Sequence, residues 1–164
     1  MKIGLISDTH GFLDEKVFKY FEHCDEIWHA GDIGTVEVAE KLKNFKPLKG
    51  VYGNIDGQDI RLQFSKDLRF SCEGKKIYIT HIGGYPPKYN REVLKQLQAI
   101  PPDIFICGHS HILKIMQDTN INNLLHINPG AAGVQGFHKV RTIVRFNLSD
   151  NMVSELQVIE LGNK

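Results

Sequence analysis

Between Met1 and Tyr52 the chain switches repeatedly between short apolar runs and helical spacing, and no other feature restricts its fold as much. Met1 to Ser7 is apolar with two β-branched residues, the composition of a buried strand. Leu13, Val17, Phe21 and Cys24 then recur at helical spacing, and Asp25 to Ala30 reads as a second strand ending in Gly31-Asp32. Thr35 is placed to cap a second helix whose inner face carries Val38, Leu42 and Phe45. Pro47 opens a third strand, Leu48 to Tyr52, which ends in Gly53-Asn54-Ile55-Asp56. Strand–helix–strand–helix–strand order implies parallel strands joined by right-handed crossovers.

The pattern then changes. Leu68 to Cys72 and Lys76 to Thr80 flank Glu73-Gly74-Lys75, which predicts a hairpin. His81 leads into an irregular stretch from Ile82 to Tyr89, after which Asn90 can cap a third helix carrying Val93, Leu94, Leu97 and Ile100. Pro101-Pro102 stops that helix, and Asp103 to Cys107 forms a short apolar run ending in Gly108-His109-Ser110-His111. Only strands follow: about Leu113 to Asp118, Leu124 to Asn128, Val140 to Leu148 and Met152 to Leu161. A parallel half followed by a hairpin-rich half predicts an α/β fold of two stacked mixed sheets with helices outside, as a single domain over residues 1–164.

Composition excludes several functions. Twenty Lys and Arg against nineteen Asp and Glu leave a net charge of +1, which offers no global field for nucleic acid or an anionic membrane. The apolar runs are too short to span a bilayer. The N-terminus lacks a signal peptide's pattern. Three widely separated cysteines, Cys24, Cys72 and Cys107, fit neither a disulfide framework nor a thiolate zinc site. The expectation is a soluble, cytoplasmic protein.

Chemistry gathers at the strand ends. Five loops carry Asp8 and His10, then Asp32, Asn54, His81, and finally His109 with His111. In open α/β sheets, ligands bind at the carboxyl ends of strands. All seven are nitrogen or oxygen donors, a set that suits manganese, iron, nickel or zinc better than calcium or magnesium. Seven exceed what one tetrahedral ion with an open position needs, and they suit a pair sharing a carboxylate. Gly31, Gly53 and Gly108 each precede a candidate ligand where the chain would leave the sheet in a tight turn.

These residues resemble the calcineurin-like metallophosphoesterases. The match is Asp8-x-His10, Gly31-Asp32, Gly53-Asn54-x-Asp56, His81 and Gly108-His109-x-His111, in the family's order and over nearly the whole chain. Length and lack of cap domains resemble the small single-domain phosphodiesterase branch, which also includes the retromer small subunit. Asn128-Pro129-Gly130 is similar to a turn of that branch, with Ala131 where serine is usual. The resemblance implies an αββα sandwich and two divalent ions, manganese foremost. It assigns Asp8, His10 and His111 to one ion, Asn54, His81 and His109 to the other, and Asp32 to both. It also implies hydrolysis of phosphate esters, phosphodiesters above all, by in-line attack of a hydroxide bridging the ions. Two such ions, two aspartates and one hydroxide leave a site of net charge +1, which attracts a phosphate ester.

Three departures bear on the reaction. Ile55 stands where the broader family has a histidine credited with protonating the leaving group, and its side chain can do no acid work. Asp56 is the neighbouring alternative. Ile82-Gly83 stands where many relatives have glycine and histidine. Substrate contacts are expected from Tyr85 and Lys88, beyond His81, and from Arg61. Of the remaining histidines, His23 reads as solvated and His126 as structural. His29 either braces the ligand loops or is an ordinary strand histidine, and His138 lies in a loop that could reach a substrate. The expected partner is a small-molecule phosphate ester, with nucleic acid only as a substrate and a homo-oligomer allowed. The alternative function is a non-catalytic scaffold on the same fold, which would have no reason to keep all seven ligands.

Overall fold

The computed structural model describes residues 1–164. The first sheet starts with β1 (Lys2–Ile6), which runs parallel to β2 (Glu26–His29), itself parallel to β3 (Leu48–Gly50). The crossovers contain α1 (Lys16–Phe21) and α2 (Val36–Phe45). A short α3 (Gln58–Arg61) leads to the hairpin of β4 (Asp67–Cys72) and β5 (Lys75–Thr80). Two residue pairs, β6 (Gly84–Tyr85) and β7 (Lys88–Tyr89), form a small ribbon before α4 (Arg91–Ala99). The chain closes with β8 (Ile104–Ile106), β9 (Lys114–Asp118), β10 (Leu124–Asn128), β11 (Val140–Ser149) and β12 (Met152–Asn163).

The strands form two five-stranded sheets, ordered β12-β11-β1-β2-β3 and β4-β5-β8-β10-β9. Each mixes parallel and antiparallel pairs, as the stacked mixed sheets of the sequence reading require. The halves are not segregated, however. β11 returns to lie antiparallel to β1, pairing Lys2 with Asn147 and Leu5 with Val144, so the last hairpin belongs to the first sheet.

Alternation along β1 builds the layers, since successive strand side chains face opposite ways. Ile3 and Leu5 pack between the sheets with Trp28, Ile79, Ile106 and Val144. Ile6 faces the other way, into a core with Val17, Phe21, Val38 and Leu42 of α1 and α2. Val93 and Leu97 of α4 cover the outer side of the second sheet against Tyr78 and Phe105. Both expected caps are present: Thr35 Oγ1 accepts the Val38 N–H at 3.4 Å, and Asn90 Oδ1 accepts those of Glu92 and Val93. Each such cap contributes about 1 kcal/mol. α1 starts later than Leu13 because the Asp14 carboxylate accepts the Lys16 N–H at 2.9 Å. No helix is long and apolar enough to cross a membrane.

Parallel pairing decides where the chemistry goes. β1, β2 and β3 share one direction in the first sheet, and β5, β8 and β10 share one in the second. Each of the five candidate loops follows one of these parallel strands at its carboxyl end.

Candidate metal centre

Two trios of donors come together. Asp8, His10 and His111 can place ligand atoms within 4.8 Å of one another, and so can Asp32, His81 and His109. Asp32 stands between the trios: its Oδ2 lies 3.6 Å from His10 Nε2 and 3.2 Å from His81 Nε2. Asp8 Oδ1 lies 3.2 Å from His111 Nε2 and 3.9 Å from both His10 and His81 Nε2. Asn54 is exposed and lines a cleft of about 420 Å³ next to His81.

The backbone is strained at these residues. Asp8, His10, Asp32, His109 and His111 all have φ between 48° and 67°. A non-glycine residue in the left-handed region costs on the order of 1–3 kcal/mol and persists where function or packing demands it. Of the three glycines, Gly31 does take a turn conformation, with φ +97°. Gly53 and Gly108 serve close approach instead. A Cβ at Gly53 would sit 2.0 Å from Asp32 Oδ1, and one at Gly108 would sit 2.7 Å from Asp8 Oδ2.

Each aspartate has one oxygen held back by the closer hydrogen bonds and the other turned to the histidines, with Asp8 Oδ1 still sharing the His109 N–H at 3.3 Å. Ser7 Oγ donates to Asp8 Oδ2 at 2.6 Å and the His109 N–H donates to it at 3.1 Å, so Oδ1 faces the imidazoles. The Ile55 N–H donates to Asp32 Oδ1 at 3.0 Å, which leaves Oδ2 between His10 and His81. Ile55 thus acts through its backbone N–H, and the residue as a whole is 46% exposed. Asp56 is buried and accepts three backbone N–H groups, from Gly53, Ile33 and Gly34, at 2.7, 3.1 and 2.7 Å. With both oxygens so engaged, Asp56 clamps the Asp32 loop to the Asn54 loop and is no proton donor to a substrate.

Histidine tautomers follow from the same contacts. The His29 Nδ1 accepts the Gly31 N–H at 3.1 Å, so its proton is on Nε2, which donates to Thr9 Oγ1 at 3.0 Å. Thr9 passes a hydrogen bond on to the Ile33 carbonyl. Burial pushes the His29 pKa down to about 4, keeping the ring neutral as this arrangement needs. His29 therefore braces the first two ligand loops. His138 does not face outward to a substrate. Its Nε2 donates to the Gly133 carbonyl at 3.0 Å, so its Nδ1 accepts from His111 Nδ1 at 3.3 Å. That hydrogen bond turns the lone pair of His111 Nε2 toward Asp8.

His81 gives the test of fit for a cation. Its Nδ1 donates to the Ala30 carbonyl at 2.8 Å, so Nε2 carries a lone pair. That atom is buried without a hydrogen-bond partner, 3.2 Å from the Asp32 carboxylate. Two electron-rich atoms so close repel unless a cation or a second proton relieves them. Burial resists the proton, yet Asp32 and Asp8 outweigh it and raise the His81 pKa. The Asp8 carboxylate, which would accept a proton added at Nε2, raises that of His111 in spite of burial. A divalent cation, offered nitrogen and oxygen donors in this arrangement, suits both trios.

The expected substrate contacts separate. Arg61 lines the large cleft with Asn54 and His81, held by hydrogen bonds to the Asp56 and Asn54 carbonyls and by the Tyr52 ring beneath it. Tyr85 lines a smaller cavity, of about 130 Å³, beside Ser110. Lys88 is exposed and lines neither. Sequence reasoning missed Tyr52 and Lys66 in the large cleft, and Lys114 and Asn128 in the small one. The position of Tyr52, two residues before Asn54, is the one signal that could have pointed there.

Two stacked mixed sheets with acidic and histidine-rich loops at the carboxyl ends of their parallel strands define an α/β sandwich of the metallophosphoesterase type. The chain belongs to the calcineurin-like phosphoesterase superfamily, whose domain it matches over residues 1–151. A probable metallophosphoesterase of Methanocaldococcus jannaschii is 29% identical to it, over 98% of this chain and 82% of the relative. An archaeal phosphodiesterase of known structure superposes with a TM-score of 0.80 and 25% identity, over 98% of this chain and all of that one. Vps29 of Entamoeba histolytica, solved in complex with zinc, shares the fold with a TM-score of 0.75, 16% identity and 99% coverage of both chains.

Proposed function

We propose that the protein is a phosphodiesterase that works with two divalent metal ions, manganese foremost among manganese, iron, nickel and zinc. The observation that carries this reading is the unpartnered, buried His81 Nε2 facing the Asp32 carboxylate at 3.2 Å. Asp8, His10 and His111 hold one ion, Asn54, His81 and His109 hold the other, and Asp32 serves both. Bound there, such ions polarise phosphoryl oxygens and make a water molecule nucleophilic near neutral pH.

The chain's own residues do the rest. Ser7, the His109 N–H and the Ile55 N–H aim the two carboxylates, while His29 and His138 set loop and ring orientation. Arg61 and Tyr52, which line the cleft with Asn54, would contact the ester in this reading. No side chain supplies a ready acid for the departing oxygen, since Ile55 is apolar and Asp56 is engaged by backbone. Esters with good leaving groups are therefore the favoured substrates. We further read residues 1–164 as one domain acting in the cytoplasm on small phosphate esters. A scaffold would not need five strained donor residues, and this favours the enzyme. Turnover of a panel of phosphodiesters and monoesters, metal by metal, tests the reading; a protein inactive on every ester with every metal would defeat it.

A further inference from the structure

The small cavity beside the centre has a floor that the proposed reaction does not use. On β10, His126 and Asn128 alternate onto one face of the second sheet. The register with β9 puts Lys114 opposite Asn128 and Met116 opposite His126, so these side chains share that face. Gly84 and Tyr85 of the β6–β7 ribbon form the facing wall, and Ser110 and Ile112 close the side nearest His109 and His111. The cavity holds about 130 Å³, room for about four water molecules.

His126 is fully buried, and neither of its ring nitrogens has a hydrogen-bond partner. Buried polar atoms are nearly always paired, so the imidazole on this cavity floor must pair with whatever fills the cavity. The other polar atoms there show its charge. The Lys114 ammonium rests 4.2 Å from the centroid of the Tyr85 ring, and no acidic residue lines the cavity. Ser110 Oγ already accepts from Asn128 Nδ2 at 3.1 Å and from the Ile112 N–H at 3.3 Å, which frees its O–H to donate. Asp118, further along β9, is turned to the Tyr89 hydroxyl and the Asn120 N–H. An ammonium, a hydroxyl and an imidazole N–H are donors for an anion. The second imidazole nitrogen, an acceptor in a neutral ring, suits an anion that carries a proton of its own.

We propose that this cavity is an anion site for a phosphate group, distinct from the metal centre and joined to it through Ser110. The group is either a second phosphate on the ester, an assignment that rests on the function proposed above, or free inorganic phosphate.

Binding is tested on metal-stripped protein by titrating inorganic phosphate while following the imidazole resonances of His126. The expected result is a saturable shift of those resonances and an apparent Kd that rises about tenfold or more in Lys114→Met, the effect of losing one charged hydrogen bond. His126→Phe, which keeps a ring beside Phe105 and Tyr89, should show no saturable phosphate shift of the Tyr85 ring resonances, which wild type shows, while retaining the wild-type fold by circular dichroism. His126 resonances that stay fixed in tens of millimolar phosphate, or that shift equally in Lys114→Met, would overturn the site and leave a water-filled pocket. The source is read from KM on the metal-loaded enzyme, for a simple diester and for one bearing an additional phosphomonoester. If the substrate supplies the group, Lys114→Met erases the second ester's advantage in KM. If free phosphate is the ligand, that ratio stays put and Lys114→Met instead removes the effect of added phosphate on turnover. Loss of all turnover alongside a wild-type binding arm would defeat the proposed function and spare the anion site.

Discussion

Replacing Asp56 by Asn should loosen the whole centre although Asp56 touches no proposed ligand side chain. One carboxylate oxygen accepts the Gly34 N–H, and the other accepts those of Ile33 and Gly53. An amide keeps one acceptor and turns its NH₂ toward at least one of these donors. The smallest loss is therefore one orphaned buried N–H, about 1–3 kcal/mol. The surviving bonds also fall from charge-assisted to neutral strength, roughly half. Together these amount to about 2–4 kcal/mol, or a fall in melting temperature on the order of 5–15 °C for a chain of this size. The freed N–H groups flank Asp32 and Asn54, so metal affinity should fall with stability. Thermal unfolding of metal-free wild type and Asp56→Asn, followed by metal titration at a temperature where both are folded, measures both effects. Equal melting temperatures would refute the clamp; equal metal affinity would refute its link to the centre.

Four further outcomes follow from the same geometry. Asp32→Asn should weaken both ions whereas His109→Ala mainly empties one, as elemental analysis after desalting would show; two full equivalents in Asp32→Asn would dismiss the shared role. His138→Ala should lower metal affinity about 10–100-fold through His111, the usual cost of losing a partner behind a ligand, with His138→Asn recovering part of it; unchanged affinity in both variants would remove the positioning role. His81 and His111 hold their protons to higher pH than ordinary histidines in the metal-free site, so metals must displace protons, affinity should fall with acidity, and uptake should release protons measurable by calorimetry in two buffers; pH-independent affinity with no release would contradict this. With no evident acid at Ile55, rates should drop steeply as leaving-group pKa rises, and Ile55→His should flatten that slope, general acid help being worth about 10²–10⁴-fold; a shallow wild-type slope would show that another group donates the proton.

Much of the fold was legible because its first strands are apolar runs broken by capped helices. Thr35 and Asn90 announce α2 and α4 through chemistry local to the cap. The gathering of the two candidate trios was legible as well, since each of their residues follows a strand that periodicity locates. What stayed hidden depends on pairing across distance. Nothing within Val140 to Leu148 shows that it will lie against β1 and so move the last hairpin into the first sheet. Four-residue α3 is too short for helical spacing to register, and Gly57 gives it no side-chain cap. Asp56 read as a spare acid because it neighbours Asn54 in sequence; its engagement appears only when the Ile33 and Gly34 amides arrive from another loop. His126 read as structural because alternation signals burial, and alternation carries no information about a missing hydrogen-bond partner.

The central claim is that this chain is a phosphodiesterase that needs two metal ions. Metal-stripped protein, assayed on bis(4-nitrophenyl) phosphate while manganese is added in fractions of an equivalent, tests it most directly. The account predicts negligible turnover at the start and a rate that climbs until about two ions per chain are bound, in keeping with the two donor trios. Full activity in the stripped protein, or a rate already saturated at one bound ion, would contradict it.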